Sequence, residues 1–264
     1  MIDTRRFSLM QIQNPRQRKL IDTLTVRRFL RLEEAIALTG SSLATIRRDF
    51  LALAQAGLAQ RFRGGIRLPQ SDTMLPFALR NSLYSEAKQR LAQRAAGLLR
   101  AGDVVFIDGG TTTAHLATCL PAVPLRILTS SVRLAAMLDE HCRRPDLDIY
   151  LTGGRLYPHS GLLVGPSAAA SVDEYRAHWA FLSVGGLTAD GLFNTTDSVV
   201  ETERRMIAHA EKVVVIADHS KIGRTAMCRV CGLEEVDILI TEGTAPLEIV
   251  HEKLAECSVQ SILI

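Results

Sequence analysis

No apolar run in this chain reaches the roughly 18 residues that a membrane-spanning helix requires, so no span is expected. The opening residues, MIDTRRFSLMQIQNPRQRK, are polar and arginine-bearing and lack the apolar core of a secretory signal. A soluble, cytoplasmic protein is the expectation. Cysteine is sparse and odd in number: Cys119, Cys142, Cys228, Cys231 and Cys257 are scattered, which argues against a disulfide framework and fits a reducing compartment. Enzyme signatures are missing too. GGTTT at residues 109–113 is no Walker loop, because no Gly-Lys-Ser/Thr follows, and the chain has neither a dinucleotide fingerprint nor a Gly-x-Ser-x-Gly elbow. The seven histidines include no His-Glu-x-x-His. Cys228 and Cys231 have the spacing of a metal or redox pair but lack a second pair and fall in a strand-like run. Neither a metal nor a cofactor is expected.

What the chain does have is core and an uneven charge. At 264 residues with 47% hydrophobic side chains, it suits a large domain plus a small one. Residues 1–70 carry 13 Lys+Arg against 5 Asp+Glu, leaving 18 against 23 for the rest. A basic block on an acidic body points to nucleic acid for one part only. A membrane surface would also attract the block, but it lacks an aromatic-flanked apolar face.

The block reads as three helices and a hairpin. Leu20, Ile21 and Leu24 mark a first helix. Leu32, Ala35, Ile36 and Leu38 mark a second, stopped at Gly40. Ser42 is placed to cap a third helix, on which Ile46, Phe50, Leu53 and Ala54 form the apolar stripe. Thr45, Arg47 and Arg48 lie off that stripe near the helix start, as a major groove requires. Beyond Gly57, two short strand-like runs flank Gly64-Gly65, and Arg61, Arg63 and Arg67 decorate them. A basic hairpin after a helix-turn-helix is a winged helix, with a wing that contacts the DNA backbone or minor groove.

Residues 69–83 read as a linker with two prolines. From residue 84 onward a helix, SEAKQRLAQRAAGLL, is followed by strand-like runs alternating with helical ones, the pattern of an α/β domain on a largely parallel sheet. Ligands bind such sheets where strands end. One strand end gives Asp108, Gly109, Gly110, Thr111, Thr112 and Thr113; others give Thr129, Ser130 and Ser131, then Gly153, Gly154 and Arg155. A later one gives Ser183, Val184, Gly185 and Gly186, leading to Asp197 and Glu201, and the last gives Asp218, His219, Ser220 and Lys221. N–H groups, hydroxyls and cations suit a phosphate, and carboxylates suit sugar hydroxyls.

TIRRDFLALAQAGLAQRFRGGI resembles the helix-turn-helix and wing of the DeoR family of bacterial transcriptional regulators, with Phe50 and Arg63 where that family usually has Leu and His. VFIDGGTTTAHLA, LTGGRLYPHSGLLVGPSA, AFLSVGGLTADGLFNTTD and VVVIADHSKIG are similar to the same family's effector domain, in order and spacing. The resemblance implies a winged helix-turn-helix at residues 1–68, a linker at 69–83, and at 84–264 an α/β effector domain resembling ribose-5-phosphate isomerase. It implies that Gly110, Thr111, Thr112, Thr113 and Lys221 take a phosphate while Asp108, Asp197 and Glu201 face a sugar. Two departures stand out: Ser130 replaces a common Asn, and Glu203 stands where a basic residue is common. The function implied is a DNA-binding repressor of sugar catabolism, a homo-oligomer (dimer or tetramer) whose operator affinity changes when a phosphosugar binds. The rival is a sugar-phosphate isomerase or deaminase carrying a DNA-binding arm, with Asp108, Asp197 and Glu201 as proton carriers.

Overall fold

A computed structural model describes residues 14–69, 75, 77–141, 145–157, 160–243 and 245–264. Cys142 and part of the expected linker lie outside them. The chain divides into two compact units, Met1–Leu83 and Tyr84–Ile264.

The first unit starts with α1 (Pro15–Arg27), where Asn14 accepts from the Arg16 N–H at 3.0 Å and Pro15 occupies a first-turn position that needs no donor. A short strand β1 (Phe29–Arg31) leads into α2 (Leu32–Thr39), which the left-handed Gly40 ends. Then come α3 (Leu43–Gln55), β2 (Gln60–Phe62) and β3 (Gly65–Arg67). The expected hairpin is in fact three-stranded, because β1 pairs antiparallel with β3 in the order β1-β3-β2. Leu20, Ile21, Leu24, Leu30, Ile46, Leu53 and Ile66 are buried among these elements. Part of the expected linker is helical: α4 (Phe77–Ser82) buries Phe77 and Leu79.

The second unit opens with α5 (Ser85–Ala96), which stops at Gly97, earlier than the Ala101-Gly102 signal suggests. Next are β4 (Val104–Ile107), α6 (Thr111–Ala114), β5 (Leu125–Thr129), α7 (Val132–His141) and β6 (Leu147–Leu151). A hairpin of β7 (Arg155–Tyr157) and β8 (Leu162–Val164) precedes α8 (Pro166–Asp173) and β9 (Ala177–Ser183). The chain continues through β10 (Gly186–Thr188), β11 (Gly191–Asn194), α9 (Asp197–Ala208), β12 (Ala210–Ile216) and β13 (Cys228–Cys231). It closes with β14 (Ile238–Thr241), α10 (His251–Glu256) and β15 (Gln260–Leu263).

Seven strands form one parallel sheet in the order β15-β14-β12-β9-β4-β5-β6. The inner strands β4, β12 and β14 carry continuous apolar runs because both faces are covered, whereas the edge strands β6 and β15 are largely exposed. Phe106, Ala180, Val213 and Val215 pack on one side with Val172, Val200 and Met206 of α8 and α9. Val105, Ile107, Phe181 and Val214 pack on the other with Leu91, Leu134 and Leu138 of α5 and α7. From β4 the chain winds outward to β5 and β6, then returns to β9 and winds the other way. The switch point therefore falls between β4 and β9, where a doubly wound sheet leaves a crevice beyond its carboxyl ends. A separate antiparallel sheet, β10-β11-β13, branches off after β9.

Candidate functional site

The nucleic-acid surface is built from α3 and the wing. Ser42 Oγ accepts from the Thr45 N–H at 3.3 Å and lies 2.9 Å from the Thr45 hydroxyl, so Thr45 is half-buried and tied to the cap. Arg47 and Arg48 are exposed on the first turns, and Arg48 Nε reaches Ala44 O at 3.4 Å. Between them and the core sits Asp49, buried, accepting from Arg16 Nε at 2.5 Å, Arg16 Nη2 at 3.2 Å and Gln17 Nε2 at 2.8 Å. Burial opposes its ionisation, but these hydrogen bonds and the charges of Arg16 and Arg48 outweigh it and hold the carboxyl below its usual range. A carboxylate fixed in this way pins α3 to α1 and leaves the arginines facing outward. Arg61, Arg63 and Gly64 are exposed at the wing, whereas Gly65 is buried. A Cβ at Gly65 would stand 2.5 Å from Leu30 O and 2.7 Å from the Phe62 ring, so only glycine lets β3 pass under them.

The second site lies at the β4/β9 switch point. Asp108, directly after β4, is buried and saturated with donors. Ser183 offers its N–H at 2.9 Å and its hydroxyl at 2.7 Å, Gly110 its N–H at 3.3 Å, and Thr113 its hydroxyl. Burial nonetheless pushes the Asp108 carboxyl up from the usual carboxylate range, against these hydrogen bonds. Gly110 precedes α6, and a Cβ there would stand 1.5 Å from the Ser183 hydroxyl. Thr111, Thr112 and Thr113 form the first turn, all buried. The Thr111 hydroxyl lies 3.1 Å from the ammonium of Lys88 on α5, itself 3% exposed. A lysine carried into the interior beside a glycine-threonine turn is well suited to an oxyanion.

Lys88 is not among the residues expected here, and Ser183 is expected only as a strand end, with no role of its own. Lys88 has a visible signal: with Leu91, Ala92 and Ala95 it occupies i, i+3, i+4, i+7, the apolar stripe of α5. Ser183 has no signal of its own beyond ending a strand.

The other expected residues are placed as follows. Ser130 is buried after β5, while the Ser131 hydroxyl accepts from the Leu134 N–H at 3.1 Å and so caps α7. Gly154 and Arg155 are exposed, and Arg155 begins the β7–β8 hairpin. The Gly185 N–H donates to Phe193 O at 2.8 Å, and a Cβ on Gly186 would stand 2.2 Å from Arg224 O. That glycine pair serves backbone packing in the antiparallel sheet. Lys221 is half-buried in the 3-10 turn His219–Lys221 after β12.

Asp197 and Glu201 are exposed on α9 and are not brought to Asp108, whose hydrogen bonds go to Ser183, Gly110 and Thr113. The acid that α9 turns inward is Glu203, 4% exposed, alongside Val200, Met206 and Ile207. Its Oε1 accepts from Asn194 Nδ2 at 2.7 Å, and its buried Oε2 has no partner. Burial first, and then the negative charge of Asp108, push the Glu203 carboxyl up to about 8. Cys228 and Cys231 are free thiols on β13, and burial raises the Cys231 thiol to about 12, far from the reactive thiolate range. No cluster of three or more His, Cys, Asp or Glu that could hold a metal occurs among the described residues, and no helix among them is long and apolar enough to cross a membrane.

Fold and site together define a two-part regulator: a winged helix-turn-helix joined to a doubly wound α/β sensor unit. Residues 16–72 match the DeoR-like helix-turn-helix domain and residues 84–243 the DeoR C terminal sensor domain. The chain belongs to the DeoR family of transcriptional regulators. It is 31% identical over 255 residues to the HTH-type transcriptional repressor CsqR of Escherichia coli (strain K12), covering 95% of each chain. It is 30% identical over 241 residues to the glycerol-3-phosphate regulon repressor of the same organism, covering 90% of this chain and 94% of the other. Among solved structures it is similar to ribose 5-phosphate isomerase A of Methanocaldococcus jannaschii, with TM-score 0.39 and 17% identity over 53% of this chain and 55% of that one.

Proposed function

We propose that this protein is a transcriptional repressor that grips operator DNA with α3 and the wing and releases it when a phosphorylated sugar occupies the β4/β9 crevice. The observation that carries the reading is the buried Lys88 ammonium 3.1 Å from Thr111, beside the glycine-threonine turn. It supplies a positive charge where a phosphate would meet backbone N–H groups and three threonines. The phosphate is taken by Gly110, Thr111, Thr112, Thr113, Lys88 and Lys221, with Asp108 and Ser130 beside the sugar. The two relatives carry repressor in their names, one of them with glycerol 3-phosphate, which favours regulation over the isomerase or deaminase alternative. Arg47 and Arg48 meet the major groove, Thr45 stands near base edges, and Arg61 and Arg63 with the backbone of Gly64 and Gly65 hold phosphates. Two related half-sites call for a dimer or a larger even assembly. Release requires that the sugar phosphate bind one arrangement of that assembly better than the DNA-competent one.

The test uses the full chain and an operator fragment selected from genomic DNA. Arg48→Ala should weaken binding and reduce the slope of log affinity against log salt by about one per removed contact. Lys88→Met should keep operator binding but lose release by the sugar phosphate. Unchanged operator affinity in Arg48→Ala would refute the α3 assignment, and intact release in Lys88→Met would refute the phosphate cradle.

A further inference from the structure

The outward side of α3 is not uniformly basic. Four residues of its first two turns are exposed, Leu43, Ala44, Arg47 and Arg48, and they form two pairs one turn apart, Leu43 with Arg47 and Ala44 with Arg48. Leu43 is 45% exposed. A lone leucine on a surface is ordinary, but this one shares its turn with a second exposed methyl group, Ala44, within the basic block of the chain. Thr45 adds no free hydroxyl to that turn, because its N–H and its hydroxyl are both held at Ser42 Oγ, at 3.3 Å and 2.9 Å. Arg48 folds back along the helix, with Nε 3.4 Å from Ala44 O, so a guanidinium lies over the same turn. The leading end of α3 therefore presents methyl groups beside guanidinium donors.

DNA offers few partners for a methyl group. Base edges in the major groove are hydrogen-bond donors and acceptors, and the apolar exception is the C5-methyl of thymine. Guanidinium groups suit guanine O6 and N7, or phosphates. On the reading that α3 enters the major groove, we propose that Leu43 is a specificity-determining residue that reads a thymine methyl in each operator half-site. Ala44, being small, lets the helix sit close enough for that contact. A helical turn rises about 5.4 Å and a base step about 3.4 Å, so the thymine lies within about two base pairs of any guanine taken by Arg47 or Arg48. Leu43 carries no charge, so it adds selectivity and leaves the electrostatic part of binding to the arginines.

The experiment replaces each thymine of the selected operator fragment by deoxyuridine, one position at a time, which removes the methyl and keeps every hydrogen-bonding group. Binding is measured for the full chain as wild type, Leu43→Ala and Leu51→Ala. Leu51 is 43% exposed on the same helix but two turns from its start, beyond the residues that reach base edges. In wild type and in Leu51→Ala, one thymine per half-site should show a loss of about fourfold, the contribution of one methyl group removed from water. In Leu43→Ala the unmodified fragment should bind more weakly and the deoxyuridine penalty should vanish. The slope of log affinity against log salt should stay that of the wild type. Deoxyuridine tolerated at every position by the wild type overturns the inference, and so does a penalty that survives in Leu43→Ala. Either result leaves the α3 assignment to the separate outcome of Arg48→Ala. If the wild type selects no genomic fragment, both readings fall.

Discussion

Replacing Glu203 with Gln keeps the shape of the side chain and removes its titration, so the cost of burying this acid becomes measurable as stability against pH. In the folded chain the carboxyl sits at about 8, against 4.5 for the free group. A raised acid contributes stability that is fully present below the unfolded value and is lost as pH rises through the folded one, because the native state holds a proton the unfolded chain gives up. Between about pH 4.5 and 8 the wild type should therefore lose stability, at a slope of roughly 1.4 kcal/mol per pH unit. Over that window the loss reaches roughly 3 to 5 kcal/mol. Asp108, also raised by burial, adds to the slope in the same direction. Glu203→Gln should match the wild type near pH 5 and exceed it near pH 9 by on the order of 10 °C in melting temperature for a unit of this size. The assay is fluorescence-detected unfolding of the full chain. Its single tryptophan, Trp179, lies on β9 stacked 6.2 Å from Phe181 and reports on the sensor unit. Parallel curves for the two proteins from pH 5 to 9 would show that Glu203 titrates as an ordinary surface acid, and the argument from burial would be wrong.

Two further outcomes concern the DNA-binding unit. Asp49→Ala removes the acceptor shared by Arg16 and Gln17 and should cost about 1–3 kcal/mol, read as faster hydrogen exchange of the α3 amides; unchanged exchange would show that apolar packing alone holds α1 on α3. The wild-type clamp has the opposite sign to Glu203: its depressed carboxyl stabilises above the usual carboxylate range and loses that contribution as acid brings the pH down through the folded value. Gly65→Ala forces a Cβ to within 2.5 Å of Leu30 O, so the wing must shift, at about 1–3 kcal/mol. Operator affinity should fall with the melting of the sensor unit unchanged, and full affinity would mean that the wing's position is immaterial to binding.

Much of the architecture is readable from apolar rhythm. Leu20, Ile21 and Leu24, the stripe ending at Gly40, and Ile46 with Phe50 and Leu53 each mark a helix face that the structure buries in whole or in part. Runs such as VVFI and KVVVI mark strands covered on both sides. The small antiparallel elements are another matter. β1, β7, β8 and β10 are three residues long, too short for any period to show. Their pairing depends on partners far away in sequence, such as Phe29 against Arg67.

The candidate site shows why a list of polar strand ends is the wrong place to stop. Asp197 and Glu201 are four residues apart, one helical turn, and so share a face; that face is the exposed one. Glu203 belongs instead to the phase of Val200, Met206 and Ile207, as Lys88 belongs to that of Leu91, Ala92 and Ala95. A charged side chain in the apolar phase of a helix must either be swung out or be carried into the interior, where it costs stability unless something pairs with it. Solvating loops meet no such demand, so the polar strand ends divide in the structure between Asp108 or Thr111 at the crevice and Ser131 or Gly186 in local backbone roles. An amine and an acid carried inward on helices on opposite faces of one sheet, Lys88 on α5 and Glu203 on α9, make the helical phase of each ionisable residue the sharper guide to which of them the interior receives.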